Sequence, residues 1–421
     1  MTILNDIKSI FCCGNSRVLG KSIFTITLSL LLSLMLSACG NGTGSGDDSS
    51  GRGELIVGLT DAEGDFISYT VDVTAITLTR ANGNVIDVLP LTTRVDFSQY
   101  RELTEFLTAT MVPLGAYKAV SMTLDYRNAD IWVENADGDP VQVNMIQDAD
   151  GNPITDLEMS VELRGRNKLV ISMGVPSHLT LDFDLAASND VTFDGSGEPV
   201  QVVYPQLVVD VALQKPKARR LRGTLNNVDL IENSFEIAIQ PFHHPIYEAQ
   251  DFGSFVVNAD SDTVYDIDQQ RYLGEDGLQV LAMLPEGTPV IVHGKHQWQP
   301  WRFVAREVYA GSSVPGGSLD VVEGTVTMKT GDTLTIEGVT LIRSGGTVVF
   351  RGVVNVTLSS TTVVKTQYSM DSFTVDDINV GQEVTAFGTV SDDGMGNLTM
   401  DATHGIVRIK VVDEASDPAA G

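Results

Sequence analysis

From Glu54 onward the chain is written in short runs rich in Val, Ile and Thr, each stopped by Gly, Asn, Asp or Pro. β-Branched side chains are stiff at χ1 and pack well on a pleated surface, so such runs predict strands. Residues 54–60, 70–79, 85–89, 117–125, 131–134, 141–145, 157–163, 168–173, 179–185 and 200–213 read this way. Within 117–125, Val120, Met122 and Leu124 alternate with polar neighbours, the period of a half-buried strand. Asn82-Gly83, Asp137-Gly138 and Asp150-Gly151 are hairpin signals between runs. The spacing predicts an all-β protein in which residues 54–213 form an antiparallel β-sandwich. One short helix is expected around Ser98–Thr108, where Leu103, Phe106 and Leu107 share a helical face.

Residues 214–222, QKPKARRLR, carry Lys215, Lys217, Arg219, Arg220 and Arg222 in an otherwise acidic chain. A proline and a charge run between strand-rich segments predict an interdomain linker, the alternatives being a protease-sensitive hinge or a clamp on an acidic polymer. The chain then repeats itself. LRGTLNNVDLIENSFEIAI aligns with VVEGTVTMKTGDTLTIEGV, placing Gly223-Thr224 against Gly324-Thr325. DSDTVYDI is set against STTVVKTQ, and PEGTPVIVHG against NVGQEVTAFG. Two small OB-like β-barrel repeats are expected, over residues 223–310 and 321–412, with a flexible joint at 311–320 and a disordered tail at 413–421.

Two resemblances accompany this reading. GELIVGLTDAEGDFISYTVDVTAITLTR and VPLGAYKAVSMTLDY, with Thr60-Asp61-Ala62 and Gly115-Ala116-Tyr117, resemble the bacterial lipoprotein family called domain of unknown function 4382. Glu63 stands where that family often has Pro. The two repeats resemble the family called domain of unknown function 5666, the second through Val380, Gly381, Val384 and Gly388, the first with Glu286-Gly287 in place of Val-Gly. Both resemblances imply β folds, and neither carries an activity.

At the other end, Lys8, Arg17 and Lys21 precede an apolar run from Ile23 to Leu36, the layout of a secretory signal peptide. The run is shorter than the ~20 apolar residues that span a bilayer. Leu36-Ser37-Ala38-Cys39 resembles the lipobox of bacterial lipoproteins. That implies that residues 1–38 are removed, that Cys39 is lipidated, and that residues 39–53 form a flexible tether. The partner implied for Cys39 is a membrane, reached through its lipid. Gly40, where the family's inner-membrane retention signal would place Asp, points to the outer membrane, on its periplasmic or its external side. Cys12 and Cys13 lie in the expected signal peptide, leaving no disulfide for the folded part.

Function is less legible. Lysines and arginines number 27 against 55 aspartates and glutamates, a formal net charge of −28. Such a charge repels nucleic acid, which is therefore not an expected partner. Gly-x-Ser-x-Gly, Walker, Rossmann and His-Glu-x-x-His motifs are missing, so no catalytic residue or cofactor is nominated and the protein is expected not to be an enzyme. A feature present in only one repeat is not required by the fold. HGKHQWQPWRF, residues 293–303, is such a feature, read as a loop carrying Trp298, Trp301, His293 and His296. Its aromatic rings could stack on a glycan or a peptide, or instead cap the barrel. His243 and His244 with His293 and His296 are a weak metal pattern, since adjacent strand residues face opposite ways. Asp148-x-Asp150-Gly-Asn152 with Asp156 and Glu158, and Asp61 with Glu63 and Asp65, are weak calcium patterns, and no metal is expected. The expectation is a non-enzymatic envelope module binding a glycan or an envelope protein, the alternative being a structural spacer or assembly factor.

Overall fold

The computed structural model describes residues 51–61, 66–100, 103–204, 206–211, 218–241, 251–298, 301–344, 348–392 and 397–411, without the side chains of residues 298 and 301. The expected signal peptide, Leu36, Ser37, Ala38, Cys39 and the tail at 413–421 lie outside the described residues, as do most of the tether, Glu63, Asp65, His243 and His244. Among the described residues no helix is long and apolar enough to cross a membrane.

Strands β1 (Arg52–Thr60), β2 (Phe66–Arg80), β3 (Leu103–Pro113), β4 (Gly115–Glu134), β5 (Asp156–Glu162), β6 (Ser177–Phe183) and β7 (Leu207–Asp210) make up most of the first part of the chain. One sheet runs β7–β6–β1–β3, and a second is built on the long antiparallel β2–β4 pair, with β5 against β4. Tyr69, Phe97 and Phe183 are fully buried between them, with Phe183 edge-on to Tyr69 at 5.6 Å and to Phe97 at 5.2 Å. The Tyr69 hydroxyl meets that of Tyr126 at 2.9 Å and receives a hydrogen bond from Gln201 Nε2 at 2.9 Å, so this polar atom is not stranded in the core.

The structure corrects three expectations. The first sheet is mixed: β1 and β6 are parallel, from Leu55 opposite Ser177 to Thr60 opposite Asp182. Parallel neighbours need a crossover, and the intervening chain supplies one by building the second sheet. No helix of the expected kind forms among the described residues of Ser98–Thr108. Phe97–Tyr100 is a single 3₁₀ turn, and Leu103, Phe106 and Leu107 lie in β3. That strand has neighbours on both edges and is buried on both faces through most of its length, so its apolar residues lose the alternation that marks a half-buried strand. The basic run is no solvated linker beyond Lys217: Ala218 opens a strand that pairs in parallel with β3, Arg219 lying opposite Thr104.

That strand is β8 (Ala218–Asp229). It continues with β9 (Ser234–Ile239), β10 (Ser254–Asn258), β11 (Val264–Ile267), β12 (Pro289–Trp298) and β13 (Trp301–Ala310). The pairings β8–β9–β10–β13–β12 return to β8, giving a near-closed ring. The second copy uses β14 (Asp320–Thr330), β15 (Thr333–Ile342), β16 (Val348–Thr357), β17 (Val363–Thr366), β18 (Glu383–Asp392) and β19 (Leu398–Ile409). Its order, β14–β15–β16–β19–β18 and back to β14, is the same. Gly223 and Gly324 are equivalent: a Cβ at either would collide with a neighbouring strand's carbonyl, 1.9 Å from Ala238 O or 2.6 Å from Glu337 O.

One stretch of the expected repeat alignment moves by a residue. Thr263 Oγ1 accepts from Asp260 N and donates to Ala305 O, while Thr362 Oγ1 accepts from Ser359 N and donates to Ala402 O. Thr263 is thus the counterpart of Thr362, and Asp266 that of Lys365. Pairing along β11–β13 and β17–β19 then makes Tyr309 the counterpart of Arg408.

These counterparts meet. Lys365 Nζ donates to Asp266 Oδ2 at 2.8 Å, and the Arg408 guanidinium lies 3.7 Å above the Tyr309 ring. The two rings therefore dock through the same face, as the halves of a two-fold dimer do, with opposite chemistry at matched positions. The segment between them, expected as a flexible joint, includes a 3₁₀ turn at Gly311–Ser313 whose buried Ser313 donates to Asp266 Oδ1 at 2.7 Å. The first ring shares one continuous apolar core with the sandwich, and most of the second ring's buried apolar residues form a cluster of their own.

Candidate functional site

The outer face of the first sheet has two halves of different character. Phe106 on β3 packs on Phe255 at 5.2 Å and Phe303 at 5.3 Å, which fastens the first ring over that end of the sheet. Backbone contacts reinforce it, Ala109 N donating to Phe252 O at 2.8 Å. Farther along the strands the residues become polar. Asp182 and Thr60 stand opposite each other across β6 and β1, and Thr104 stands opposite Arg219 across β3 and β8.

Over this polar end lies a cleft of about 440 Å³. Its lining includes Thr60, Thr104, Thr180, Asp182, Asp210 and Arg219, together with Arg164, Arg166 and Asn167 around a 3₁₀ turn. Asn167 Nδ2 donates to Val209 O at 2.8 Å, tying that turn to the sheet edge. Arg164 and Arg166 are exposed, whereas Arg219 is only 7 % exposed. Strand alternation explains the contrast between neighbours: Arg220 and Arg222 face the other way and both pair with buried Glu105, at 3.1 Å for Arg222. Arg219 is left facing the cleft, its Nε without a hydrogen-bond partner among the described residues. Burial lowers its pKa, with Asp210 opposing the shift.

The residues singled out from the sequence are not brought together here. The described residues of 293–303 are strand rather than loop: His293 to Trp298 run in β12, and Trp301 to Phe303 in β13, with Trp298 opposite Trp301. The two indole side chains lie outside what is described. His296 sits against the sandwich, 4.7 Å from His178 and 5.3 Å from Phe303. Burial, with His178 and Arg219 adding to it, holds it down at about 2. His293 stacks edge-on to Tyr309 at 5.8 Å, and its pKa is lowered by burial and by Arg220, Arg222, Arg408 and Lys410. Such cationic surroundings disfavour a metal ion.

Among the described residues no group of three or more His, Cys, Asp or Glu is placed to hold a metal. The Asp148 carboxylate accepts from Asp150 N at 2.9 Å and Asn152 N at 2.8 Å, closing a turn on itself. Asp61, fully buried, accepts from Leu185 N at 3.1 Å.

The architecture defines a mostly β protein with a sandwich, two near-closed rings and an arginine-lined cleft at the first junction. Residues 52–198 match the family described as Domain of unknown function (DUF4382). Nothing among curated proteins or solved structures matches the chain. Thr60, Thr104, Arg164, Arg166, Asn167, Thr180 and Asp182 fall inside the matched segment, while Asp210 and Arg219 lie beyond it. Sequence reasoning missed the cleft. Its one signal was the basic run, whose Arg219 proves to be the member that faces the cleft.

Proposed function

We propose that this protein is an exported, lipid-anchored module of the outer membrane that binds a glycan or protein partner without chemically altering it. The observation that carries the reading is the cleft: an open, polar depression held between the sandwich and the first ring, with a buried arginine directed into it. Arg219 and Asp210 place charged groups at this depression, which suits a polar partner better than a purely structural spacer. The ring order, in which the third strand closes on the fifth and the fourth on the first, supports an OB-like reading of both repeats, in a fold that commonly binds saccharides or oligonucleotides on its surface. The large negative charge disfavours the nucleic-acid option.

The anchor is tested by labelling cells with a radioactive fatty acid. Label should enter the wild-type chain and be lost in Cys39→Ala, which should also leave the membrane fraction. Binding is tested on glycan and envelope-protein arrays with wild type and Arg219→Gln side by side. Conversion of any bound polymer to shorter products would overturn the non-enzymatic reading.

A further inference from the structure

Four segments meet at the end of the sandwich where β1 begins: residues 51–53, the turn 80–84 that follows β2, the connection 113–116 between β3 and β4, and the turn 172–176 that leads into β6. Leu114 N donates to Gly51 O at 3.0 Å and Ala81 N to Ala116 O at 3.1 Å. A Cβ at Gly51 would lie 2.9 Å from Met173 Cε, and one at Gly53 would lie 2.6 Å from Ser172 O. Two properties coincide here. The tip Met173-Gly174-Val175 turns tightly, with Gly174 at φ +71°, and holds Met173 and Val175 out at 70 % and 61 % exposure. The four segments also carry Arg52 and Arg80 and no acidic residue, in a chain that has 55 aspartates and glutamates. Arg52 donates to Met111 O at 2.8 Å and Arg80 to Leu114 O at 3.1 Å, contacts that hold both cations at this end without neutralising them.

Resting on the lipid-anchor reading above, we infer that this end of the sandwich docks on the membrane that holds Cys39, Met173 and Val175 entering the boundary between headgroups and acyl chains and Arg52 and Arg80 meeting anionic headgroups. The chain reaches the sandwich at this same end, and from Cys39 to Arg52 it spans at most about 45 Å even fully extended. Within that reach the anchor presents the bilayer at an effective concentration on the order of millimolar, so two apolar side chains and two cations suffice for a contact too weak to hold a free protein. The net charge of −28 turns the rest of the chain away from an anionic surface and so orients this end toward it. A second copy is the poorer occupant, because a two-fold contact through this end would bring the arginines against their own equivalents.

The test uses the full mature chain, lipidated at Cys39, added to vesicles of phosphatidylethanolamine and phosphatidylglycerol. With Cys12 and Cys13 removed and Cys39 in thioether linkage, Met173→Cys offers a single thiol for an environment-sensitive nitrobenzoxadiazole label. Val175→Cys repeats the measurement from the other side of the turn, and Ile231→Cys, at a position 89 % exposed between β8 and β9, is the control. Labels at 173 and 175 should shift to the blue and be quenched at least about twofold more than that at 231 by lipids brominated near the headgroup, as for groups about 5–10 Å deep. Vesicles of phosphatidylcholine should weaken both signals. Equal quenching at all three positions, or none at any of them, in a chain that carries its lipid would overturn the docking and leave the anchor standing. Self-quenching between labelled chains without quenching by brominated lipid would give the surface to a second copy and overturn the docking as well. A wild-type chain that takes up no fatty acid removes the anchor, and the docking falls with it.

Discussion

Replacing His296 by phenylalanine should make the protein more resistant to mild acid. The imidazole lies among Phe106, Phe303 and His178, and in the folded chain burial holds His296 at about 2 and His178 at about 3. An unfolded histidine takes up its proton near pH 6.5. Below that value the unfolded chain binds more protons than the native one. Each depressed histidine therefore contributes stability that is whole above about pH 6.5 and drains as pH falls toward the folded value. The slope is about 1.4 kcal/mol per pH unit, so each histidine costs about 2 kcal/mol on going from about pH 6.5 to about pH 5. A phenyl ring fits the aromatic surroundings and takes up no proton. Urea unfolding near pH 7 and near pH 5 should show the wild type losing about 2 kcal/mol more than His296→Phe, since carboxylate protonation is common to both and cancels. Equal losses in the two proteins would show that the imidazole is solvated or charged in the native state, and the reasoning would fail.

The docking of the rings makes a second prediction. Lys365→Met removes one partner of a buried pair, with Asp266 fully buried, and should cost about 3 kcal/mol, the low end of the usual range because Arg408 and Ser313 still face the carboxylate. A double-mutant cycle with Asp266→Asn should give a coupling of about 1 kcal/mol or more, and additive effects would contradict the pairing of counterparts. Gly253→Ala should destabilise by about 3 kcal/mol or more in chemical denaturation: its φ is +87°, and an added Cβ would sit 1.7 Å from Ala109 O in β3. Asp148→Ala should loosen its own turn, and calcium should not shift the melting temperature of the wild type, because the carboxylate already closes that turn; a calcium-dependent rise would reverse that conclusion.

Much of the local structure is legible in the residues themselves. β2, FISYTVDVTAITLTR, alternates β-branched and polar residues, and its strand character follows from the chain alone. Asn82-Gly83 turns it back, with Gly83 at φ +95°. The repeat was visible through Gly223 and Gly324, because a backbone collision leaves no other residue room there. Legibility stopped where a residue's neighbours come from elsewhere in the chain. Leu103, Phe106 and Leu107 have helical spacing, but most of β3 is buried on both faces, with Phe106 packed against the first ring, and that double burial erases the period. His296 read as a candidate ligand-binding group on a loop because nothing near it in sequence announces His178 or Phe106.

The chain by itself therefore determined the strand-rich class, the turns and the two-fold internal repetition, since these depend on backbone preferences and on neighbours a few residues away. Only the tertiary structure decided that β1 and β6 run parallel, that Asp266 meets its own counterpart Lys365, and that Arg219 faces a cleft while Arg220 and Arg222 pair with Glu105. The physical reason is that a strand's sequence records which side chains prefer burial, whereas the partner that buries them is set by pairing between distant segments.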